Sequence, residues 1–319
     1  MLFIFNRQYS FFAVILIFTA LTLLHFLLPN NIDYHIFWQN SFFSSDFSMS
    51  PFLAKIISFI LIAFQSVLIF HITNSIRQID QYSFIFTWLF VFLIHTFPEF
   101  YTLSPALVAN TLLLFSIFLF YKNQEGYANT YIFYIGFILG ISFLIWTPSI
   151  FFLPFFIIFF FHYNKLSLKV FNILLFSIAV PILNFYFISY LWLQNLPPIH
   201  LKFALNILSN KSIVNYLPSV FLLIFILIGL FNTTVLAKKI NQSGRLFFNS
   251  ILSASIIFLV LIFFNTGSFI NSFIILCFPA SVYLGLAINI IKRPIVSELI
   301  HLTIILLATF NCIIYAIDF

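Results

Sequence analysis

Residues 130–163 read TYIFYIGFILGISFLIWTPSIFFLPFFIIFFFHY and contain no Asp, Glu, Lys or Arg. A soluble domain has no ordinary use for such a stretch, whereas a helix crossing the hydrocarbon core of a bilayer needs about 20 apolar residues. Pro148 within Trp146-Thr147-Pro148-Ser149 divides the stretch, because proline breaks a helix and biases the preceding residue away from it. The pattern therefore predicts a closely spaced pair of spans over 130–147 and 149–163, joined by a hairpin turn.

The rest of the chain follows the same rule. Of 319 residues, 63% are hydrophobic and 6% charged, against about 25% charged in an ordinary soluble domain. Twenty charged side chains cannot cover the surface of a soluble globule of this size, which also excludes a disordered chain and a secreted disulfide scaffold. Long apolar runs broken by polar turns predict further spans near 11–29, 52–71, 84–97, 102–121, 170–193, 217–236, 247–265, 269–290 and 297–317. Eleven spans of about 20 residues leave too few for an extramembrane domain. The expectation is one integral membrane domain over 1–319, all-α, a polytopic transmembrane helix bundle. The first segment is followed by no small-residue cleavage site and reads as a retained helix.

The net charge of +6 does not point to nucleic acid, because no basic cluster exceeds Lys238-Lys239 plus Arg245. Excess Lys and Arg in a membrane protein set its topology. With the N-terminus cytoplasmic, the inner segments hold Arg7, Arg77, Lys122, Lys165, Lys169, Lys238, Lys239, Arg245, Lys292 and Arg293. The outer segments hold Lys55, Lys202 and Lys211. The expected orientation is N-in and C-out, in a bacterial inner membrane. Phe is extreme at 51 residues; an AT-rich coding bias explains it, and Phe159-Phe160-Phe161 reads as lipid-facing filler. Cys277 and Cys312 read as small buried apolar residues.

The polar residues gather on the outer side. Asp33, Asp46, Glu99 and Asp318 fall there, with His25, His35, His95 and His200, while Trp38, Trp146 and Trp192 lie near one level, as an interfacial belt would. The chain has no G-x-x-x-x-G-K-[ST] phosphate cradle, so it does not itself hydrolyse ATP. One outer loop, 30–51, carries Asp33 and Asp46. The other, 194–216, mixes Ile199, Leu201, Phe203 and Leu205 with His200, Lys202, Asn206 and Asn210, and predicts a short helix lying in the interface. A carboxylate at such a surface can accept a proton from an attacking hydroxyl; the alternative is that both acids are merely solvated. His95 and Glu99 are spaced to share one face of a helical turn, either as a working pair or as a hydrogen bond that fixes the turn. No zinc-ligand spacing occurs. Gly136 and Gly140 form a small-xxx-small pair suited to close helix packing, and Asn110, Thr111, Asn184 and Asn265 suit hydrogen bonds between helices.

In order and type these features resemble the GT-C superfamily of membrane glycosyltransferases. Asp33-Tyr34 stands where that superfamily has an acid directly after the first span, Ser50-Pro51-Phe52-Leu53 resembles its proline-led second span, and Pro98-Glu99-Phe100 stands at its second acid. Leu103 through Asn110 and Gly136 through Pro154 are similar to the corresponding helices, and 199–214 resembles the outer amphipathic helix. The resemblance covers 1–200, leaving 201–319 as additional C-terminal spans. It departs from the family at Tyr34, where an acid is common, and in outer loops without arginine, which commonly holds lipid phosphates. The chain also resembles a family of short, Phe-rich polytopic membrane proteins of Bacteroidota, which implies no particular activity.

The GT-C resemblance implies transfer of a sugar from a polyprenyl-phosphate carrier to an acceptor at the periplasmic face. Asp33 would be the general base and Glu99, oriented by His95, would position acceptor or a divalent cation. Lys202 would neutralise the departing phosphate, with Asp46, His200 and Trp146 lining the substrate. No cofactor is otherwise expected. The competing expectations are a non-catalytic scaffold or accessory subunit that binds a membrane protein partner in an envelope complex, and a transporter of lipid or small molecules. The transporter ranks lower because ionisable residues at mid-membrane depth are nearly absent.

Overall fold

In the computed structural model the described residues are 11–26, 50–75, 84–122, 129–193, 242–264 and 269–290, with 224, 227, 298, 299, 302–306 and 309. Their secondary structure is helical, without strands. The principal elements are α1 (Phe11–Phe26), α2 (Pro51–Ser75), α3 (Ile85–Ile94), a 3-10 turn (Pro98–Tyr101), α4 (Pro105–Lys122), α5 (Asn129–Ile145), a second 3-10 turn (Thr147–Phe151), α6 (Phe152–His162), α7 (Leu168–Leu193), α8 (Gln242–Phe264) and α9 (Phe269–Ile290). These elements fall where the sequence predicts apolar segments; of the expected span 217–236 only 224 and 227 are described, both helical, and the interfacial helix of 194–216 lies outside the described residues.

Three of the helices are long and apolar enough to cross a membrane, over Pro51–Asn74, Pro105–Lys122 and Leu168–Leu191, and shorter apolar helices accompany them. The described residues thus form an all-helical bundle of membrane character. α3 cannot cross alone: its 10 residues rise only about 15 Å, half of the roughly 30 Å hydrocarbon core.

Local sequence sets the helix starts. Ser50 precedes Pro51, and its hydroxyl accepts the Leu53 N–H at 3.4 Å. Ser104 precedes Pro105 and accepts the Leu107 N–H at 3.2 Å, while Ser167 accepts the Val170 N–H at 3.2 Å at the start of α7. Each serine supplies an acceptor to an N–H that the helix leaves unpaired, and proline at the first helical position has no N–H to lose. Ser104→Ala is expected to cost about 1 kcal/mol, read as a lowered midpoint of thermal unfolding in detergent.

α3 occupies the centre, with all ten of its residues buried between α2, α9 and α1. Gly285 of α9 admits the Phe86 ring of α3, since a Cβ there would lie 2.6 Å from Phe86 Cε1. α4 joins α2 to α5, and α5 packs along α7. Gly136 and Gly140 make that packing close: a Cβ at Gly136 would lie 2.8 Å from the Leu174 carbonyl oxygen, and one at Gly140 2.5 Å from that of Ile178 and against the Pro181 ring. Beyond this seam α7 turns Leu168, Phe176, Leu183, Phe187 and Leu191 outward, a lipid-type face; Asn184 is exposed there too, so it is not an interhelical bond of the predicted kind.

Asn110 and Thr111 do pair between helices. Gln65 of α2 donates to the Leu107 carbonyl at 3.0 Å and to the Thr111 hydroxyl at 2.6 Å, and accepts from Asn110 Nδ2 at 3.1 Å. The amide thereby bonds α2 to α4 in an otherwise apolar seam.

The Phe159-Phe160-Phe161 run departs from expectation. Phe159 and Phe160 are each 1% exposed, and only Phe161, at 65%, faces outward. Helical rotation turns successive residues by about 100°, so a triplet cannot face lipid throughout. Phe120 of α4 meets Phe159 edge-on at 4.3 Å and Phe160 at 5.2 Å. Beside them Tyr121 shares a 2.9 Å hydrogen bond with the Tyr163 hydroxyl and packs on Phe247 of α8 at 5.5 Å. These contacts gather at one end of the bundle the segments that carry Lys122, Lys165 and Arg245. Partial burial holds the Lys165 ammonium below the ordinary lysine range.

Candidate functional site

At the opposite end, the last turn of α1, the first turns of α2 and the end of α3 meet around a polar cluster. His25 sits one residue before the end of α1. Its Nε2 lies 2.8 Å from the Lys55 carbonyl oxygen and 3.0 Å from the Ser58 hydroxyl. A carbonyl only accepts, so Nε2 carries the ring proton. The Ser58 hydroxyl lies 2.8 Å from the Tyr101 carbonyl and 3.1 Å from that of Lys55, either of which can accept its proton. The Tyr101 hydroxyl in turn donates to the His95 carbonyl at 2.9 Å. His95 donates from Nδ1 to the Val91 carbonyl at 2.6 Å, closing the end of α3. The His25 and His95 rings stand edge to face with centroids 5.9 Å apart, and the Tyr101 ring lies 5.5 Å from one and 5.1 Å from the other.

His25, Ser58, His95 and Tyr101 are all but fully buried, and Lys55 is only 5% exposed. Among the described residues Lys55 is the one Lys or Arg that is buried. Its Nζ lies 5.7 Å from the centroid of the Phe26 ring, where the ring face attracts a cation. The ring nitrogen of His25 that Lys55 and Ser58 leave over, Nδ1, is buried and has no hydrogen-bond partner among the described residues.

The expected site residues divide accordingly. His95 is in the cluster. The backbone of Glu99 lies in the 3-10 turn that Tyr101 ties to His95, and its side chain is outside the described residues. α3 stops at Ile94 and Phe97 is extended (φ −114°, ψ 101°), so 95–99 is not the single helical turn anticipated for the His95–Glu99 pair. Pro98 explains the break, since it cannot donate into the preceding turn and disfavours a helical Phe97. Trp146 is 2% exposed and packs near Phe152, ring centroids 6.4 Å apart; it is a core residue and not part of an interfacial belt. Asp33, Asp46, His200 and Lys202 lie outside the described residues. Among the described residues no three His, Cys, Asp or Glu side chains converge as metal ligands would.

His25, Lys55, Ser58 and Tyr101 are the members that sequence reading did not single out as site residues. His25 and Lys55 carried a signal, each an ionisable residue near the outer end of an apolar run. Ser58 carried none, because nothing in a sequence distinguishes a serine bonded to a distant turn from one bonded within its own helix. Chemically, the cluster fixes the 95–101 turn against α1 and α2 and sets a buried ammonium beside an imidazole at the first turn of α2. No known protein family, curated protein or solved structure matches the chain.

Proposed function

We propose that the chain is a GT-C-like membrane transferase of a bacterial inner membrane, in an eleven-span, N-in arrangement. It passes a sugar from a polyprenyl-phosphate carrier to an acceptor at the outer face. The observation that carries this reading is the buried His25–Ser58–Tyr101–His95 cluster. Polar groups are costly inside a membrane bundle unless they serve a purpose. These hold the turn bearing Glu99 at the end of α1 from which the loop bearing Asp33 departs. The basic end with Lys122, Lys165 and Arg245 then faces the cytoplasm, as the positive-inside rule requires.

In this mechanism the Asp33 carboxylate accepts the proton of the acceptor hydroxyl as its oxygen attacks the anomeric carbon. The carbon–oxygen bond to the carrier phosphate breaks, and the phosphate leaves with the bonding pair. Glu99 positions the acceptor, and Lys202 balances the charge of the departing phosphate. Asp33→Asn is expected to lower sugar transfer about 10²- to 10⁴-fold, and Glu99→Gln to lower it as well, in vesicles supplied with a polyprenyl-phosphate sugar. Transfer that survives both substitutions would overturn the reading. The bonds that Ser58 and Tyr101 make to backbone carbonyls within the protein favour a second reading, a non-catalytic scaffold for an envelope complex. There, both acid substitutions leave the complex intact, and substitutions in the helix seams dissolve it.

A further inference from the structure

Of the three helices long enough to cross a membrane, α7 is the least covered: 17% of its stretch Leu168–Leu191 is buried, against 44% for Pro51–Asn74 and 67% for Pro105–Lys122. On α2 the side chains left outside in mid-span are Ile60, Phe64 and Val67, which hydrocarbon accommodates, while the polar Gln65, Ser66, Asn110 and Thr111 of α2 and α4 are buried. α7 departs from this rule at Asn184. Its side chain is exposed and makes no hydrogen bond among the described residues. By helical rise it lies about 7 Å from the midpoint of its stretch, inside the roughly 15 Å half-thickness of the hydrocarbon core. The side chain is too short to reach the interface, and an amide that faces hydrocarbon without a partner is costly.

Around Asn184 the outer half of α7 is patterned for a second helix. Val180, Asn184, Phe187 and Leu191 follow at steps of four, three and four, the spacing that keeps one seam facing a partner helix. Val180 is half-buried and the other three are exposed, with Leu183 and Ile188 exposed on either side of the seam. The contacts of Ile178 and Pro181 with Gly140 of α5 use another side of the helix. We propose that this half of α7 joins two copies of the chain, with Asn184 of each bonded to Asn184 of the other. The occupant follows from the amide, which both donates and accepts and is therefore complementary to itself. Two copies inserted in the same orientation, related by a twofold axis along the membrane normal, carry Asn184 at the same depth. Nδ2 of each then donates to Oδ1 of the other. Lipid tails offer neither donor nor acceptor, and an unrelated helix would need a polar group at this depth by coincidence. The pairing also fixes register, since a slip of one turn returns both amides to hydrocarbon. The dimer rests on α7 alone and stands whether or not the chain transfers sugar.

The test uses the full chain in proteoliposomes, with a cysteine placed on α7 and dimers read on non-reducing gels after mild oxidation. Phe187→Cys is expected to give a disulfide-linked dimer, because a seam position meets its own copy within disulfide reach. Leu175→Cys, exposed on the same helix but off the seam, is expected to give no more than the background of the unsubstituted chain, which carries Cys277 and Cys312. Association without cross-linking is read by energy transfer between copies labelled at the N-terminus as the protein is diluted in lipid. Asn184→Leu, of similar size but without the amide, is expected to weaken association about three- to thirtyfold, the range for a hydrogen bond between membrane helices. Asn184→Gln is expected to retain most of it. The packing within each copy does not involve Asn184, so both variants fold, and in dilute detergent, where the copies separate, their unfolding midpoints match. Equal cross-linking at Phe187→Cys and Leu175→Cys would mean random collision. A Phe187→Cys chain that stays monomeric would leave the face to lipid or to another segment of the same chain, and an Asn184→Leu chain that associates as tightly as the unmodified one would remove the amide from the contact. Each of these three results overturns the inference.

Discussion

Replacing Gly140 with leucine is expected to leave no folded protein to purify. The α5–α7 seam has no room for a side chain at that position: a Cβ already falls 2.5 Å from the Ile178 carbonyl oxygen and against the Pro181 ring. Pro181 is a fixed ring inside α7 and cannot rotate away, and the Ile178 carbonyl belongs to the helix backbone. Relief therefore requires the two helices to separate along their contact. Inserting bulk into a packed core costs about 1–3 kcal/mol and sometimes more. Here the backbone itself must move, which puts the loss at or above the top of that range. Asn184→Leu on the exposed face of α7 adds a leucine to the same helix without meeting a partner, and is expected to shift the midpoint little. A Gly140→Leu protein that elutes as a single species and unfolds at the unmodified temperature would show that α5 and α7 are not in close contact.

The second large effect is expected at Phe120. Its ring is enclosed edge-on by Phe159, Phe160 and Tyr163, the nearest centroid 4.3 Å away, and it is 1% exposed. Phe120→Ala removes the hub of this cluster, at a cost of about 3–5 kcal/mol for a buried phenylalanine. Phe161→Ala, one residue beyond the buried pair, is expected to stay within about 0.5 kcal/mol. Thermal unfolding of the two variants in the same detergent compares them directly. Equal destabilisation would mean that the Phe run packs differently from the arrangement described.

That contrast also marks what could be read from the sequence. The apolar runs were legible because they are local: about 20 apolar residues need no knowledge of the rest of the chain, whereas the capping roles of Ser50 and Ser104 went unread and the second of these helices was expected to start at 102. The small-residue spacing of Gly136 and Gly140 was legible for the same reason, although its partner on α7 was not. What the Phe triplet faces depends on which helices surround α6, and composition alone made it look uniform. His95 stood out as a polar residue in an apolar turn. Its companions did not, because His25, Ser58 and Tyr101 come from three separate segments and meet only through long-range packing. Trp146 looked like an interfacial anchor by its position near a predicted span end, but the turn at Pro148 folds it into the core. Nor did apolar length alone reveal that α3 is too short to cross a bilayer by itself.

The central position of α3 bears on how the protein is made. A helix of ten residues with no face left for lipid has no stable resting place in a bilayer by itself, since its ends expose backbone groups that hydrocarbon cannot satisfy. Its neighbours α1 and α2 are synthesised around the same time, but α9, whose Gly285 receives Phe86, is synthesised long after them. α3 must therefore be sheltered during elongation, either by the insertion machinery or by a provisional contact that α9 later displaces. Assembly of the membrane domain thus includes a late docking step that closes over an early segment, and chains truncated before residue 269 should be far more open to protease than chains that include 269–290.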